Sequence, residues 1–219
     1  MESRRQEILD AALALADEKG LAAVSMRAVA ERTGVTPMAL YPYVGNKAAL
    51  LDGMVGQLLS EMVVADTGPD WRQRIHALAR SGRALAHRHP WAAALLFARP
   101  AVTADAVYVV DQIYAALLRA DVPEAEVPRV ERMISTLVLG YAASEVGGRF
   151  GPGELDPRGR RGQLPEGALP AHSRLARWLD APVDWDAEFE ADVDDLLGLV
   201  ERIAGPPRGR VRRAAPRGS

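Results

Sequence analysis

The stretch TPMALYPYVGNK, residues 36–47, carries side chains suited to binding a polyanion. Its two tyrosines can donate their hydroxyls to phosphate oxygens while their rings pack against protein. Lys47, one of only two lysines in the chain, closes the stretch with a positive charge. Upstream, Arg27 offers a fork of donors that matches the O6 and N7 acceptors of guanine. These residue types predict contact with nucleic acid if the fold brings them to one surface.

Side chains that support metal binding or catalysis are scarce. Cysteine is absent, which excludes disulfides, thiolate metal ligands and a cysteine nucleophile. His87 and His89 stand two apart, so they do not share a helix face, and no carboxylate is spaced to complete a metal site. The sequence has no G-x-S-x-G, phosphate-binding glycine loop or H-E-x-x-H motif. We expect no metal, no cofactor and no enzymatic activity, and a helical enzyme using scattered Asp and His stays an alternative.

The charge distribution gives no support to a nucleic-acid interface by itself. Residues 1–60 carry six basic and seven acidic groups, and residues 61–205 carry sixteen and twenty-two. The segment 206–219 has five arginines and no acid, and the chain sums to −2. A nucleic-acid interface must therefore depend on local geometry.

The elements that position these side chains are helices, because apolar residues recur at three- and four-residue spacing with little strict alternation. The fold class is all-α. Stripes begin at Ile8, Trp71, Val130 and Phe189, and a further stripe consists of Val107, Val110, Tyr114 and Leu117.

Two segments fall outside the helical pattern. Residues 147–170 hold seven glycines and four prolines, which predicts a flexible loop. Residues 205–219 are predicted to be a disordered, arginine-rich tail, more in keeping with a solvated extension than with a nucleic-acid arm. Asp10 argues against a signal peptide, and no apolar run is long enough to span a membrane. We expect a cytoplasmic protein.

The order of residues 26–40 predicts a helix-turn-helix unit. A helix over 26–33, begun by the cap Ser25, is followed by Gly34, which can adopt the left-handed backbone of a tight turn. Thr36 and Pro37 are suited to cap and begin a second helix, and Leu40 pins it against the first.

The second helix is predicted to be very short. Proline interrupts a helix interior, so this helix is expected to stop at Tyr41, before Pro42. A short helix suffices if its first residues enter a major groove. Asn46 and Lys47 are expected to open the following helix.

The stretch MRAVAERTGVTPMALYPYVGNKAALLDGMV (26–55), with QEILDAALALADEKGLAAVSM (6–26) before it, resembles the DNA-binding domain of the tetracycline-repressor (TetR) family of bacterial transcriptional regulators. The resemblance covers roughly residues 4–60. The segments HPWAAALLFARP and LVLGYAASEV resemble the family's C-terminal domain more loosely.

The resemblance implies a helix-turn-helix domain over 1–47 and a helical ligand-binding and dimerisation domain over 48–204. The implied function is that of a homodimeric repressor, released from a palindromic double-stranded DNA operator by a small-molecule inducer. A transcriptional activator of the same fold is an alternative, and so is an interaction module that has lost DNA binding.

The same resemblance, carried over position by position, implies these DNA contacts: Ser25, Arg27, Thr36, Pro37, Met38, Ala39, Tyr41, Tyr43 and Lys47. Family members often have a polar or aromatic residue where this chain has Pro42. Met38 and Ala39 are suited to thymine methyl groups rather than to hydrogen bonding. As alternatives, the tyrosines fill the domain core and Lys47 is an ordinary surface residue.

The family's ligand cavity would lie among helices spanning about 70–146. Amphipathic residues proposed to line it are Trp91, Phe97, Tyr108, Gln112, Met133 and Tyr141. Each of these is equally suited to plain core packing. The helices over 123–146 and 186–204 are expected to pair with their copies across a two-fold axis, helped by the small residues Gly140, Ala142 and Ala143.

Overall fold

The computed structural model describes residues 2–62, 68–150 and 169–205, and within these ranges the chain is helical without strands, which confirms the all-α prediction. The helices are α1 Glu2–Lys19, α2 Met26–Arg32, α3 Tyr41–Val44, α4 Lys47–Ser60, α5 Trp71–Arg88, α6 Ala92–Ala98, α7 Ala104–Arg119, α8 Val127–Val146, α9 Pro170–Leu179 and α10 Trp185–Ala204. Single 3-10 turns cover Leu21–Ala23 and Pro37–Ala39. No helix in the described part of the chain has the length and apolar character needed to cross a membrane.

Helix starts follow local side-chain chemistry. Ser25 Oγ accepts the backbone N–H of Ala28 at 3.1 Å, and Asn46 Oδ1 accepts that of Ala49 at 2.9 Å. Both satisfy donors that the first turn of a helix leaves without partners. The predicted cap Ser25 is therefore confirmed, and Asn46 and Lys47 open α4 as predicted, with Asn46 as its cap.

Two apolar clusters form the interior. The first joins α1, α2 and α3 to α4 and also includes Leu85, Leu95 and Ala106 from α5, α6 and α7. The second is built by α5, α7, α8 and α10 around residues such as Ile75, Leu117 and Phe189. The first cluster does not divide at residue 47, because Leu50, Met54 and Leu58 of α4 belong to it.

The stripe predicted on α7 is wrong for Val107, whereas its last member, Leu117, is buried as predicted. Val107 is 48% exposed, whereas Ala106, Val109 and Ile113 are buried. Valine, isoleucine and tyrosine occur side by side along α7, so a second set of positions one residue further along also has helical spacing. Packing against α4 decides which face is buried, because α7 lies directly on α4 and Ala106 belongs to the same apolar cluster as Leu58 of α4.

Ion pairs tie α5 to α8 and α10. Arg83 donates from Nε and Nη2 to the two carboxylate oxygens of Glu145, and both side chains are only 14% exposed. The hydrogen bonds from Arg83 hold the pKa of Glu145 below its usual value. Burial raises the pKa of Tyr141 to about 12, and its hydroxyl donates to the Trp185 carbonyl at 2.8 Å.

The predicted loop over 147–170 and the predicted tail lie mostly outside the described residues. Residues 151–168 and 206–219 are not described, and α9 begins at Pro170. Helix α9 was not predicted. It has no buried residue, and its Trp178 is 64% exposed.

Candidate nucleic-acid interface and cavity

The turn between α2 and the 3-10 turn depends on Gly34. Its φ is +68°, a left-handed conformation, and a Cβ built there would meet nothing within 4 Å. The requirement for glycine is thus conformational and not one of space. The N–H of Val35 bonds to the carbonyl of Ala30 at 2.9 Å and closes the turn. The predicted helix-turn-helix is confirmed at its central glycine.

The segment after the turn differs from the single short helix that was predicted. Residues Pro37–Ala39 form a 3-10 turn, and α3 then begins at Tyr41. The expectation that the helix stops at Tyr41 is wrong, because Pro42 lies in the first turn of α3, where a missing N–H removes no helical hydrogen bond. The hydroxyl of Thr36 makes no capping bond, contrary to expectation.

Side chains on this segment divide into anchors and exposed groups. Leu40 is completely buried in the first cluster, as predicted. Met38 is 75% exposed, and Thr36, Pro37 and Ala39 are exposed as well. The 3-10 turn packs directly on α2. The exposed turn and Arg27, in the first turn of α2, therefore belong to neighbouring elements.

The two tyrosines have different surroundings. Tyr41 is 43% exposed, whereas Tyr43 is half-buried and packs against the first cluster. The ring of Tyr43 can therefore pack against the cluster while its hydroxyl contacts a phosphate.

Ser25 combines a capping role with a predicted DNA contact. Its Oγ accepts the N–H of Ala28, which leaves the hydroxyl hydrogen available for donation to another group.

Some cationic side chains near the turn form ion pairs within the protein, and others are available to bind DNA. Arg32 forms two parallel hydrogen bonds to Glu18, at 2.6 and 2.8 Å, and this pairing lowers the pKa of Glu18. Arg27 and Lys47 are exposed, and neither forms an ion pair with any residue that the structure describes. These two side chains are therefore the cations that a phosphate or base can recruit at low cost.

A cavity of about 680 Å³ lies among α4 to α8. Most of its wall is apolar, with Phe97 and Tyr114 as the aromatic members. Charged side chains on the wall are Arg99, Glu131 and Arg132. Val55 and Leu59 of α4 also line it, so the cavity borders on the helix that begins at Lys47.

The structure places one of the six predicted ligand residues, Phe97, on the cavity wall. Trp91 donates its indole N–H to Asp17 Oδ1 at 2.7 Å, in the contact between α1 and the start of α6. Tyr108 is 62% exposed and outside the cavity. The remaining three are also absent from the wall: Gln112 bonds to Arg74, Met133 contacts Arg129, and Tyr141 bonds to Trp185.

Arg99 connects the cavity wall to α4, a role that its sequence context does not predict. Its Nε donates to Asp52 Oδ1 at 2.8 Å, and its Nη2 donates to the carbonyl of Ala48 at 3.0 Å. Asp52 and Ala48 both lie in the first half of α4. A basic residue beside Pro100 at a helix end carries no sequence signal for such a role.

Each histidine of the pair lies within hydrogen-bond distance of a carboxylate. His87 Nε2 lies 2.9 Å from Glu145, and His89 Nδ1 lies 2.7 Å from Asp17. Within the described residues no group of His, Asp and Glu side chains has the arrangement of a metal site.

Two family models match the chain. Residues 8–54 match the model described as bacterial regulatory proteins, tetR family, and residues 65–195 match the tetracyclin repressor-like C-terminal domain. The second match alone spans more than half of the chain. The chain belongs to the tetR family. The predicted function class, a DNA-binding transcriptional regulator, is confirmed by this membership.

Individual relatives of this tetR-family chain agree with the assignment. An HTH-type transcriptional regulator of Saccharopolyspora erythraea is 31% identical over 92% of this chain and 86% of its own length. Tetracycline repressor protein class A from transposon 1721, of Escherichia coli, is 29% identical over 92% and 95%. The crystal structure of the Streptomyces coelicolor TetR family protein ActR in complex with actinorhodin has a TM-score of 0.80 at 23% identity, covers 92% of this chain and 98% of its own, and shows the common fold.

Proposed function

We propose that the chain is a homodimeric repressor that binds a palindromic operator and leaves it when a small molecule occupies the cavity among α4 to α8. The observation that carries the proposal is the position of Arg99. This residue is part of the cavity wall and bonds to α4, the helix that begins at Lys47 beside the exposed turn. A change at the cavity thus has a direct physical path to the DNA-binding segment.

The proposed DNA contacts fall into two classes. Arg27, Met38 and Ala39 are assigned to base edges, because an exposed arginine can pair with guanine and exposed apolar groups can pack on thymine methyls. The remaining residues are assigned to the sugar-phosphate backbone or to supporting contacts: Ser25, Thr36, Pro37, Tyr41, Tyr43 and Lys47. The exposure of Met38 and the absence of an ion pair at Arg27 within the described residues support this division.

A dimer follows from the small size of the recognition segment. One 3-10 turn and one turn of helix can read only a few base pairs, so two copies on a palindrome are needed for useful specificity. Homodimers are typical of the family. We assign the contact to α8 and α10. Ala142 is completely buried in its own protomer, so Gly140 and Ala143, which are half-buried, remain the small residues suited to close approach.

Ligand release requires a difference in affinity between two states. A molecule that binds both arrangements of the DNA-binding segments equally shifts nothing, so the ligand must favour the cavity shape of the released state. ActR is described in complex with actinorhodin, which supports a small molecule as the ligand here. The regulator relatives support a role without catalysis, at the bacterial chromosome in the cytoplasm.

The proposal is tested by mapping the sites that the protein binds on its own genome and measuring binding to those sites with competitor DNA. We expect a palindromic site with half-sites about one helical turn apart, or a multiple of that spacing, bound by a dimer. Sedimentation that shows a monomer at micromolar concentration, bound to a single half-site as tightly as to the palindrome, contradicts it.

A further inference from the structure

Glu131 places a buried carboxyl group on the wall of the cavity. Glu131 lies on α8 with 9% of its surface exposed, and it is the buried charged residue among the residues that the structure describes. The hydroxyl of Ser135, one turn further along α8 and also on the wall, donates to Glu131 Oε1. A hydroxyl supplies a hydrogen bond but no positive charge.

The positive side chains of the cavity do not neutralise Glu131. Arg99 is engaged by Asp52 and the Ala48 carbonyl on α4. Arg132 is exposed, and as the next residue on α8 it points about 100° away around the helix axis. Within the described ranges, Glu131 has no ion pair with either arginine.

A buried carboxylate without a cationic partner is costly, because burial removes the water that stabilises its charge. A positively charged ligand can supply the cationic partner that the cavity wall lacks. We propose that the cavity selects an apolar molecule carrying a protonated amine, whose N–H groups donate to Glu131. This inference rests on the proposed function of the cavity as the ligand site and specifies the chemical class of the ligand.

The rest of the cavity fits the apolar part of such a molecule. Its volume of about 680 Å³ is within the range of sites for small molecules. Phe97 and Tyr114 offer aromatic surface on α6 and α7. An aromatic body therefore contacts the wall on those helices while the amine reaches the carboxylate on α8.

The test uses three fluorescent probes with one aromatic body and different charge. They are 1-pyrenylmethylamine, which is protonated at neutral pH, the neutral 1-pyrenylmethanol and the anionic 1-pyrenecarboxylate. Binding to the full-length protein is measured by fluorescence anisotropy. We expect the amine to bind about tenfold or more tightly than the alcohol, as a hydrogen bond to a charged group provides, and the carboxylate to bind weakest.

Three variants assign the preference to its cause. Glu131→Gln keeps the shape and removes the charge, so it should lose the preference for the amine and retain the affinity for the alcohol. Glu124→Gln makes the same change at an exposed position outside the cavity and should bind all three probes like the wild type. Val110→Trp fills the cavity from its half-buried position on α7 and should weaken all three probes.

The outcomes separate this inference from the proposed function. Equal affinity of the wild type for amine and alcohol, or a preference that persists in Glu131→Gln, overturns the amine selectivity while Val110→Trp still reports binding in the cavity. Probe binding that Val110→Trp leaves unchanged shows that the cavity is not the ligand site, and this overturns both. The comparison of the affinities for the amine and the alcohol is made in the wild type, so it does not depend on whether a variant folds.

Discussion

Arg99, at the end of α6, donates a hydrogen bond of 2.8 Å from Nε to Oδ1 of Asp52 on α4. Their side chains are 25% and 27% exposed, so water screens the pair only in part. A second bond from Arg99 to the Ala48 carbonyl fixes the guanidinium against the backbone of α4. The orientation of α4, and with it that of Lys47, is thereby restrained from the cavity side.

Removing this restraint should loosen the first turns of α4. In Arg99→Ala we expect faster amide hydrogen exchange there, because local opening no longer breaks two hydrogen bonds. A double-mutant cycle with Asp52→Ala should give a coupling of about 0.5–3 kcal/mol in the free energy of unfolding. Arg119→Ala, an exposed arginine at the end of α7, is the control and should stay within about 0.5 kcal/mol of the wild type. Additive effects of the two changes would refute the coupling.

Arg27→Ala and Lys47→Ala should weaken DNA binding in different ways. Loss of a base contact by Arg27 should cost about 1–3 kcal/mol and relax the preference at one position of the site. Loss of a phosphate contact by Lys47 should weaken all sequences alike and reduce the salt slope by about one unit. Titrations at several salt concentrations distinguish the two. Lys19→Ala, the other lysine of the chain, at the end of α1, is the matched control. Equal, sequence-independent losses for both variants rule out base reading by Arg27.

Substitutions at Gly34 should depend on backbone conformation and not on size. Gly34→Val forces a β-branched residue to φ near +68° and should lower the free energy of unfolding by about 1–3 kcal/mol. Gly34→Asn should be milder, because asparagine tolerates the left-handed region, and the site has room for a side chain. Thermal unfolding of both variants gives the comparison. A valine variant as stable as the asparagine variant would show that the turn does not require this conformation.

The pair of Arg83 and Glu145 should make stability depend on pH in acid. The pKa of Glu145 is lowered in the folded state, so its stabilising contribution is full above its unfolded pKa of 4.5 and is lost as pH falls through the folded pKa. Glu145→Gln should therefore cost about 1–3 kcal/mol at neutral pH and progressively less below pH 4.5.

Chemical denaturation at a series of pH values measures this dependence. Glu126→Gln is a suitable control, because its pairing with Arg129 is solvent-exposed and should be worth less than about 1 kcal/mol. A loss in Glu145→Gln that is the same at pH 7 and at pH 3 would assign its effect to packing.

The sequence predicted those parts of the fold that depend on neighbouring residues. The caps Ser25 and Asn46 and the turn at Gly34 act within a few residues, so their chemistry is visible in one dimension. Pro42 was misinterpreted because proline is compatible with either side of a helix boundary. Two prolines five residues apart here mark two helix starts, at Pro37 and at Tyr41.

The residues that line the cavity could not be predicted from local sequence patterns. Its wall draws residues from five helices, and which of them face the cavity depends on contacts between elements that are far apart in the chain. Trp91 and Tyr141 have the character of ligand residues, but their polar atoms reach Asp17 and the Trp185 carbonyl. Glu131 gave no signal, because a glutamate on an amphipathic helix is usually exposed.

The first apolar cluster has a consequence for how such regulators exchange parts in evolution. Leu58 shares this cluster with Leu85, Leu95 and Ala106. A DNA-binding domain that is exchanged at residue 47 would therefore be separated from part of its own hydrophobic core. A chimera that receives foreign DNA specificity at that junction must also inherit a matching surface on α5, α6 and α7. A new DNA specificity is reached more readily by substituting exposed residues such as Met38, whose side chain is not packed in the hydrophobic core.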